Sequence, residues 1–186
     1  MVSKKIIFSS VILLAACITL ALSTWSCKKT KYNEISDEEE AEWMIFDRNQ
    51  KFYMASTQGE IDTFQVVRKS KAYYNPNYEE FIEAEVRRLD DTLQAGVQDG
   101  GVYMRKTSKG LSVKVWLPHF GEKIDITKRT STVANVNGKN YPAVFILPVN
   151  QLYLDFDNYI DTIYYSKSFG FLKYVDIYGE EWTKYN

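Results

Sequence analysis

The stretch YEEFIEAEVRRLDDTLQ, residues 78–94, can be read in two ways, and the fold turns on which is taken. As a helix it places Tyr78, Phe81, Ile82, Val86, Leu89 and Leu93 on one face, with Asn77 as cap and Gly96 as stop. As a strand it alternates Ile82, Ala84 and Val86 with Glu83, Glu85 and Arg87. The segments on either side are strand-like and joined to it by short loops. That context is compatible with a strand from about Phe81 to Leu89, the reading that a resemblance given below favours, while the other reading leaves a helix over Asn77–Gln94.

Working outward, a period of two dominates from Lys51 onward. Phe52 and Met54 alternate before a turn at Thr57–Glu60, and Phe64 and Val66 carry a second strand toward Tyr73 and Tyr74. Asn75, Pro76 and Asn77 break the chain. Beyond a loop containing Gly96, Gly100 and Gly101, strands Val102–Thr107 and Leu111–Leu117 flank Ser108–Gly110 as a hairpin. In the second of these, Leu111, Val113, Val115 and Leu117 face one way and Ser112, Lys114 and Trp116 the other. A further hairpin runs Val133–Val136, Asn137-Gly138, Tyr141–Leu147, because Asn-Gly supplies the two positive φ angles of a tight hairpin turn. Pro142 and Pro148 mark an edge or strand ends. Strands Leu152–Phe156, Thr162–Ser166, Phe171–Ile177 and Glu181–Tyr185 follow. The expected fold is mainly β: one domain of antiparallel strands over residues 43–186, as a curved sheet, half-barrel or sandwich, with at most one or two short helices.

The chain has 186 residues, 23 basic against 24 acidic, and 45% apolar residues. This composition suits a folded domain and offers no broad basic field for nucleic acid. The first residues stand apart. Lys4 and Lys5 precede an uncharged apolar run, Ile6–Leu22, which reads as an export signal over residues 1–26, too short to cross a bilayer comfortably. Both cysteines lie here, so neither belongs to a disulfide framework in the mature domain.

Both cysteines resemble lipid-attachment sites. Leu14-Ala15-Ala16-Cys17 matches the bacterial lipobox pattern better than Ser23-Thr24-Trp25-Ser26-Cys27, in which Trp25 is the misfit. Cleavage before Cys17, however, would leave Ile18–Leu22 exposed and retain the Cys27 thiol. Cys27 closes the apolar run and is followed at once by Lys28 and Lys29, so it is the favoured anchor, with Cys17 as the alternative. Residues 27–42 then read as the lipidated cysteine and a polar tether, basic at Lys28, Lys29 and Lys31 and acidic from Asp37 to Glu42. Ser36 is placed to cap a short helix through Phe46.

The segments NGKNYPAVFIL (Asn137–Leu147) and DTIYYSKSFGFLKYVDIYGEEW (Asp161–Trp182) resemble the ending shared by many small β-sheet lipoproteins of the Bacteroidota and, more loosely, periplasmic curved-sheet proteins of the lipoprotein-carrier type. The Ser-Cys-Lys-Lys junction resembles the same group, and an acidic cluster after the lipidated cysteine resembles its surface-export signals, although here the cluster begins ten residues downstream, at Asp37. The resemblance implies a strand at residues 81–89, an envelope location at the outer membrane facing periplasm or cell surface, and no particular reaction.

Catalytic chemistry has few candidates. The single His119 sits in a turn-like Leu117–Gly121 and reads as surface, and no G-x-S-x-G elbow accompanies it. One histidine is too few for a His/Cys metal site. Asp155, Asp157 and Asp161 with Asn158 invite a calcium reading but fail the EF-hand spacing, and alternation with Leu152, Leu154 and Phe156 makes Asp155 and Asp157 the wet face of a strand. Glu79, Glu80, Glu83 and Glu85 offer carboxylates whose separation sequence cannot fix. No catalytic residue, metal or cofactor is therefore assigned. Aromatics make up 15% of the chain, and the pairs Tyr73-Tyr74 and Tyr164-Tyr165 put one ring on each face of a strand. Tyr164, Tyr165, Phe169 and Trp182 are the candidate binding rings. The expected role is an anchored binding or accessory module for an envelope protein, small molecule or glycan. A structural envelope protein is the second reading and a carboxylate-based hydrolase the third.

Overall fold

The computed structural model describes residues 33–74, 79–89, 99–150 and 159–185. Among these, eleven antiparallel strands form one curled sheet, a half-barrel, with one short helix. The strands are β1 (Lys51–Ser56), β2 (Ile61–Tyr74), β3 (Glu79–Arg88), β4 (Gly100–Thr107), β5 (Gly110–Trp116), β6 (Ile124–Asp125), β7 (Thr132–Val136), β8 (Lys139–Pro148), β9 (Ile160–Ser166), β10 (Gly170–Asp176) and β11 (Glu181–Tyr185). The helix α1 spans Asp37–Trp43. The ambiguous stretch is a strand: β3 alternates buried Ile82, Ala84 and Val86 with the more open Glu83, Glu85 and Arg87. The strand expected at Leu152–Phe156, and Asp155, Asp157 and Asn158, lie outside the described residues.

Strand order is β6-β5-β4-β3-β2-β1-β11-β10-β9-β8-β7. The chain thus starts mid-sheet, meanders to one edge, passes to the other edge and returns to pair β11 with β1. Curling follows from the connection between the edges. An eleven-stranded flat sheet is ~48 Å wide, whereas residues 126–131 between β6 and β7 reach at most ~25 Å. Every neighbouring pair is antiparallel, so an odd number of strands leaves β6 and β7 running the same way across the seam.

The β7–β8 hairpin turns at Asn137 and Gly138, both at positive φ, as Asn-Gly favours. Pro142 and Ala143, the latter at φ 53, interrupt the pairing of β8 with β7, and from Val144, which faces Thr132 on one side and Ser166 on the other, β8 pairs with β9 as far as Pro148. The hairpin folds across the outer face, where Ala134, Val136, Val144 and Leu172 make a small second cluster with Tyr141 and Tyr164. A bulge in β10 between Phe171 and Lys173 lets Leu172 point outward between the inward Phe171 and Tyr174. At the hairpin tip, Asn137 Nδ2 donates to Thr183 Oγ1 of β11 at 2.8 Å.

The concave face is packed with side chains. Phe52 stacks on Phe64 (5.1 Å) and Phe171 (5.9 Å), and Tyr174 stacks on Trp182 (5.5 Å). Over one rim lies α1, opened by a capping box in which Ser36 Oγ accepts from Glu39 N–H and the Glu39 carboxylate accepts from Ser36 N–H. Ile35, Trp43, Met44 and Phe46 are buried in the main core. Glu39 pairs with Lys106, Glu40 with Lys69 and Lys71, and Glu42 with Lys167. The acids expected to belong to a tether through Glu42 are therefore docked on the sheet from Asn33 onward. Ile35 supplies the apolar anchor that the run's polar composition hides, and the lysines at the strand ends supply the counter-charges.

Candidate functional site

On the outer face of β3–β5 lies a cleft of about 350 Å³ lined by Glu83, Glu85, Asp99, Lys123 and Trp116, the last only 4% exposed and part of the main core cluster. Strand alternation turns Glu83 and Glu85 outward from buried Ala84. The β4–β5 register sets Gly101 opposite Trp116, so the indole lies across a position without a side chain. A Cβ on Gly101 would meet the Ala84 carbonyl and stand 3.3 Å from the Trp116 ring. Trp116 Nε1 donates to the Asp99 carbonyl, fixing the ring's tilt.

The cleft is electrostatically layered. Lys123 Nζ sits 4.1 Å from the centroid of the Trp116 ring, a cation on an aromatic face. Arg87 donates to both Asp99 oxygens at 3.0 and 3.1 Å and approaches Glu85 at 3.5 Å. Burial, then the hydrogen bond and charge of Asp99, hold the Glu85 carboxyl above its ordinary range. Asp99, against burial that pushes the other way, is held below its range by hydrogen bonds from Arg87 and Glu85. The two carboxyls are thus pushed in opposite directions, Glu85 upward and Asp99 downward.

The other carboxylates serve the fold. Glu79 pairs with Arg105, while Glu80 accepts from Ile35 N at 2.6 Å and faces Lys71. Inside the half-barrel, Asp62, 2% exposed, accepts from Arg88 and from the Tyr174 hydroxyl. Asp161 accepts from the Thr162 hydroxyl at 2.7 Å, and no cluster able to hold a metal ion occurs among the described residues.

His119 corrects the surface reading. It is buried at 8% exposure, adopts φ 63, stacks on Tyr159 at 4.7 Å and accepts at its carbonyl from Ile160 N. The neighbouring Leu117 and Phe120 are core residues, which draws the turn inward.

The candidate rings separate into two faces. Tyr165 and Trp182 are buried in the main core, with Trp182 in the place expected of a core residue of the last strand. Tyr164 lies outside, half-buried beneath the β7–β8 hairpin with Lys173 Nζ 5.0 Å from its ring. Phe169 is exposed at the β9–β10 turn, edge-on to Tyr141 at 5.2 Å. The sequence contained one signal for the cleft that this ring search passed over: a glycine opposite a tryptophan across a hairpin, beside outward glutamates. Comparison with family models, curated proteins and solved structures returns no match.

Proposed function

We propose that the chain is a lipoprotein of the bacterial outer membrane, anchored through Cys27 after loss of residues 1–26, whose half-barrel acts as a binding module for small ligands bearing a basic group. The observation that carries the ligand class is the seat of Lys123: its ammonium lies on the Trp116 ring with Glu83, Glu85 and Asp99 lining the same cleft. A cation there gains both the ring quadrupole and the carboxylates, and an incoming amine takes the place of the intramolecular one. The packed concave face supports a surface site rather than an enclosed lipid cavity.

The test is titration of purified mature protein with agmatine, cadaverine and choline, followed by Trp116 fluorescence and calorimetry. Saturable binding is expected, tighter in Lys123→Ala and lost in Glu85→Gln/Asp99→Asn. Absence of binding by every probe to both wild type and Lys123→Ala overturns the ligand class. Mass spectrometry of the mature amino-terminal peptide tests the anchor separately: acylated Cys27 is expected, and a peptide joining Leu22 to unmodified Cys27 moves the site to Cys17.

A further inference from the structure

We infer that the outer edge of β7 is a docking site for an extended acidic segment of a partner protein, which adds a strand beside Thr132–Val136. Neither the cleft nor the lipid anchor takes part. Among the described residues, β7 ends the sheet and pairs with β8 alone. Val136 and Lys139 close the tight turn at Asn137-Gly138, and Ala134 faces Tyr141. These are the hydrogen-bonded pairs of the hairpin, so Asn135 between them and Val133 beyond aim their amides and carbonyls away from β8. No backbone bond from another described element reaches either residue.

The two edges of the sheet are built differently. At the other one, Val113 N of β5 donates to Thr127 Oγ1 at 2.6 Å and the Val113 carbonyl accepts from Ile126 N at 2.8 Å, while the Asp125 carboxylate accepts from the Ser112 hydroxyl at 2.8 Å. A short strand and a charged side chain thus blunt that edge against pairing with another chain. β7 carries no such guard. Its sequence, Thr-Val-Ala-Asn-Val, has neither charge nor proline, and Val133 stands 66% exposed. Outward backbone groups on an uncharged strand rich in β-branched residues are what an added strand requires.

Charge decides the occupant. Residues 126–154 hold Lys128, Arg129 and Lys139 and no acid, in a chain whose net charge is −1. All three are exposed, and none makes an ion pair among the described residues. Lys128 and Arg129 lead into β7, while Lys139 stands opposite Val136 at its far end with its ammonium over the rings of Tyr141 and Phe169. Cations therefore flank both ends of the edge. A second copy of this chain laid antiparallel along β7, with Val133 set against Asn135, would bring like charges together. A partner strand with acids at its ends is attracted instead, and the charges fix its register.

The test titrates the purified full chain into a fluorescein-labelled peptide of about nine residues, an alternating Val/Thr core with paired Asp at both ends, and follows fluorescence anisotropy. Saturable binding is expected. It should weaken at least about fivefold in Val133→Pro, which removes an outward amide, and in Lys128→Glu/Arg129→Glu, which reverses the flanking charge. Thermal melts accompany both variants, and the charge reversal, confined to exposed side chains, decides the matter where proline disturbs the hairpin. No binding of the Asp-ended peptide, or binding unchanged in both variants, overturns the site. Equal binding of a Lys-ended peptide overturns the acidic class, and equal binding of a peptide with every core amide N-methylated overturns strand addition. A concentration-dependent dimer in sedimentation that Val133→Pro abolishes gives the edge to a second copy and overturns the partner.

Discussion

The Tyr165 hydroxyl donates a 3.0 Å hydrogen bond to the carbonyl of Trp43, the last residue of α1, in the interior of the half-barrel. It joins the floor of the sheet to the end of the helix, where a carbonyl has no partner within the helix itself. Burial pushes the tyrosine hydroxyl far above its ordinary pKa, so it is a donor at every working pH. Tyr165→Phe should lower unfolding free energy by about 1–2 kcal/mol, the cost of leaving the buried carbonyl unpaired. Urea melts with an unchanged far-ultraviolet spectrum are the measurement. No loss of stability would mean that α1 is held by its ion pairs and apolar face alone.

Asp62 is a stronger case, because one buried carboxylate serves both Arg88 and Tyr174. Replacing it by Ala strands a guanidinium that is largely inside, and about 3 kcal/mol of destabilisation is expected. Tyr174→Phe removes one hydrogen bond and leaves the ion pair, so its cost should be near 1 kcal/mol. Equal losses in the two variants would contradict this ranking.

Two turn glycines separate conformational strain from crowding. Gly170 and Gly179 both adopt positive φ, but a Cβ at 170 would meet the Phe46 ring at 2.7 Å, whereas at 179 it would meet nothing. Gly179→Ala should cost about 1 kcal/mol for the backbone alone. Gly170→Ala should cost clearly more, since Phe46 must move within the core. The comparison of the two thermal midpoints decides it.

The carboxyl pair in the cleft gives stability a pH dependence whose sign can be worked out. Glu85 has a raised folded pKa, so its contribution is complete below the ordinary carboxylate range and is lost as pH rises through the raised value. Asp99 has a lowered folded pKa, so its contribution is present above its ordinary range and is lost as pH falls through the lowered value. Glu85→Gln mimics the protonated partner permanently. Relative to wild type it should therefore gain stability as pH rises from the ordinary carboxylate range through the raised Glu85 value. A flat difference through that rise would show that Glu85 is not held above its ordinary range.

The strands were legible because one face of each is buried. Ile82, Ala84 and Val86 in β3 and Val113 and Val115 in β5 advertise period two, and Asn137-Gly138 advertises its turn. The capping box at Ser36 was equally visible, since it is local. What the helix does was not legible: the partners of Glu39, Glu40 and Glu42 are lysines 67, 31 and 125 residues away in sequence, respectively. The inward placement of His119 depends on Tyr159 and Ile160 across the sheet, which no local pattern encodes. The same holds for Tyr165 and Trp182. Adjacent rings divide between two faces, but which face is the core is decided by the bulge in β10 and by the hairpin folded over the outside.

The pairing of the first strand with the last has a consequence for biogenesis. β1 finds its second neighbour only when β11 has emerged, so every earlier intermediate carries an open edge along Lys51–Ser56. Contacts between strands so far apart in the chain form slowly, so that edge stays open through most of folding. Truncation is costly for the same reason: a chain ending before Glu181 has no partner for β1 on that side, presents two half-sheets instead of one, and is prone to proteolysis and to edge-to-edge aggregation.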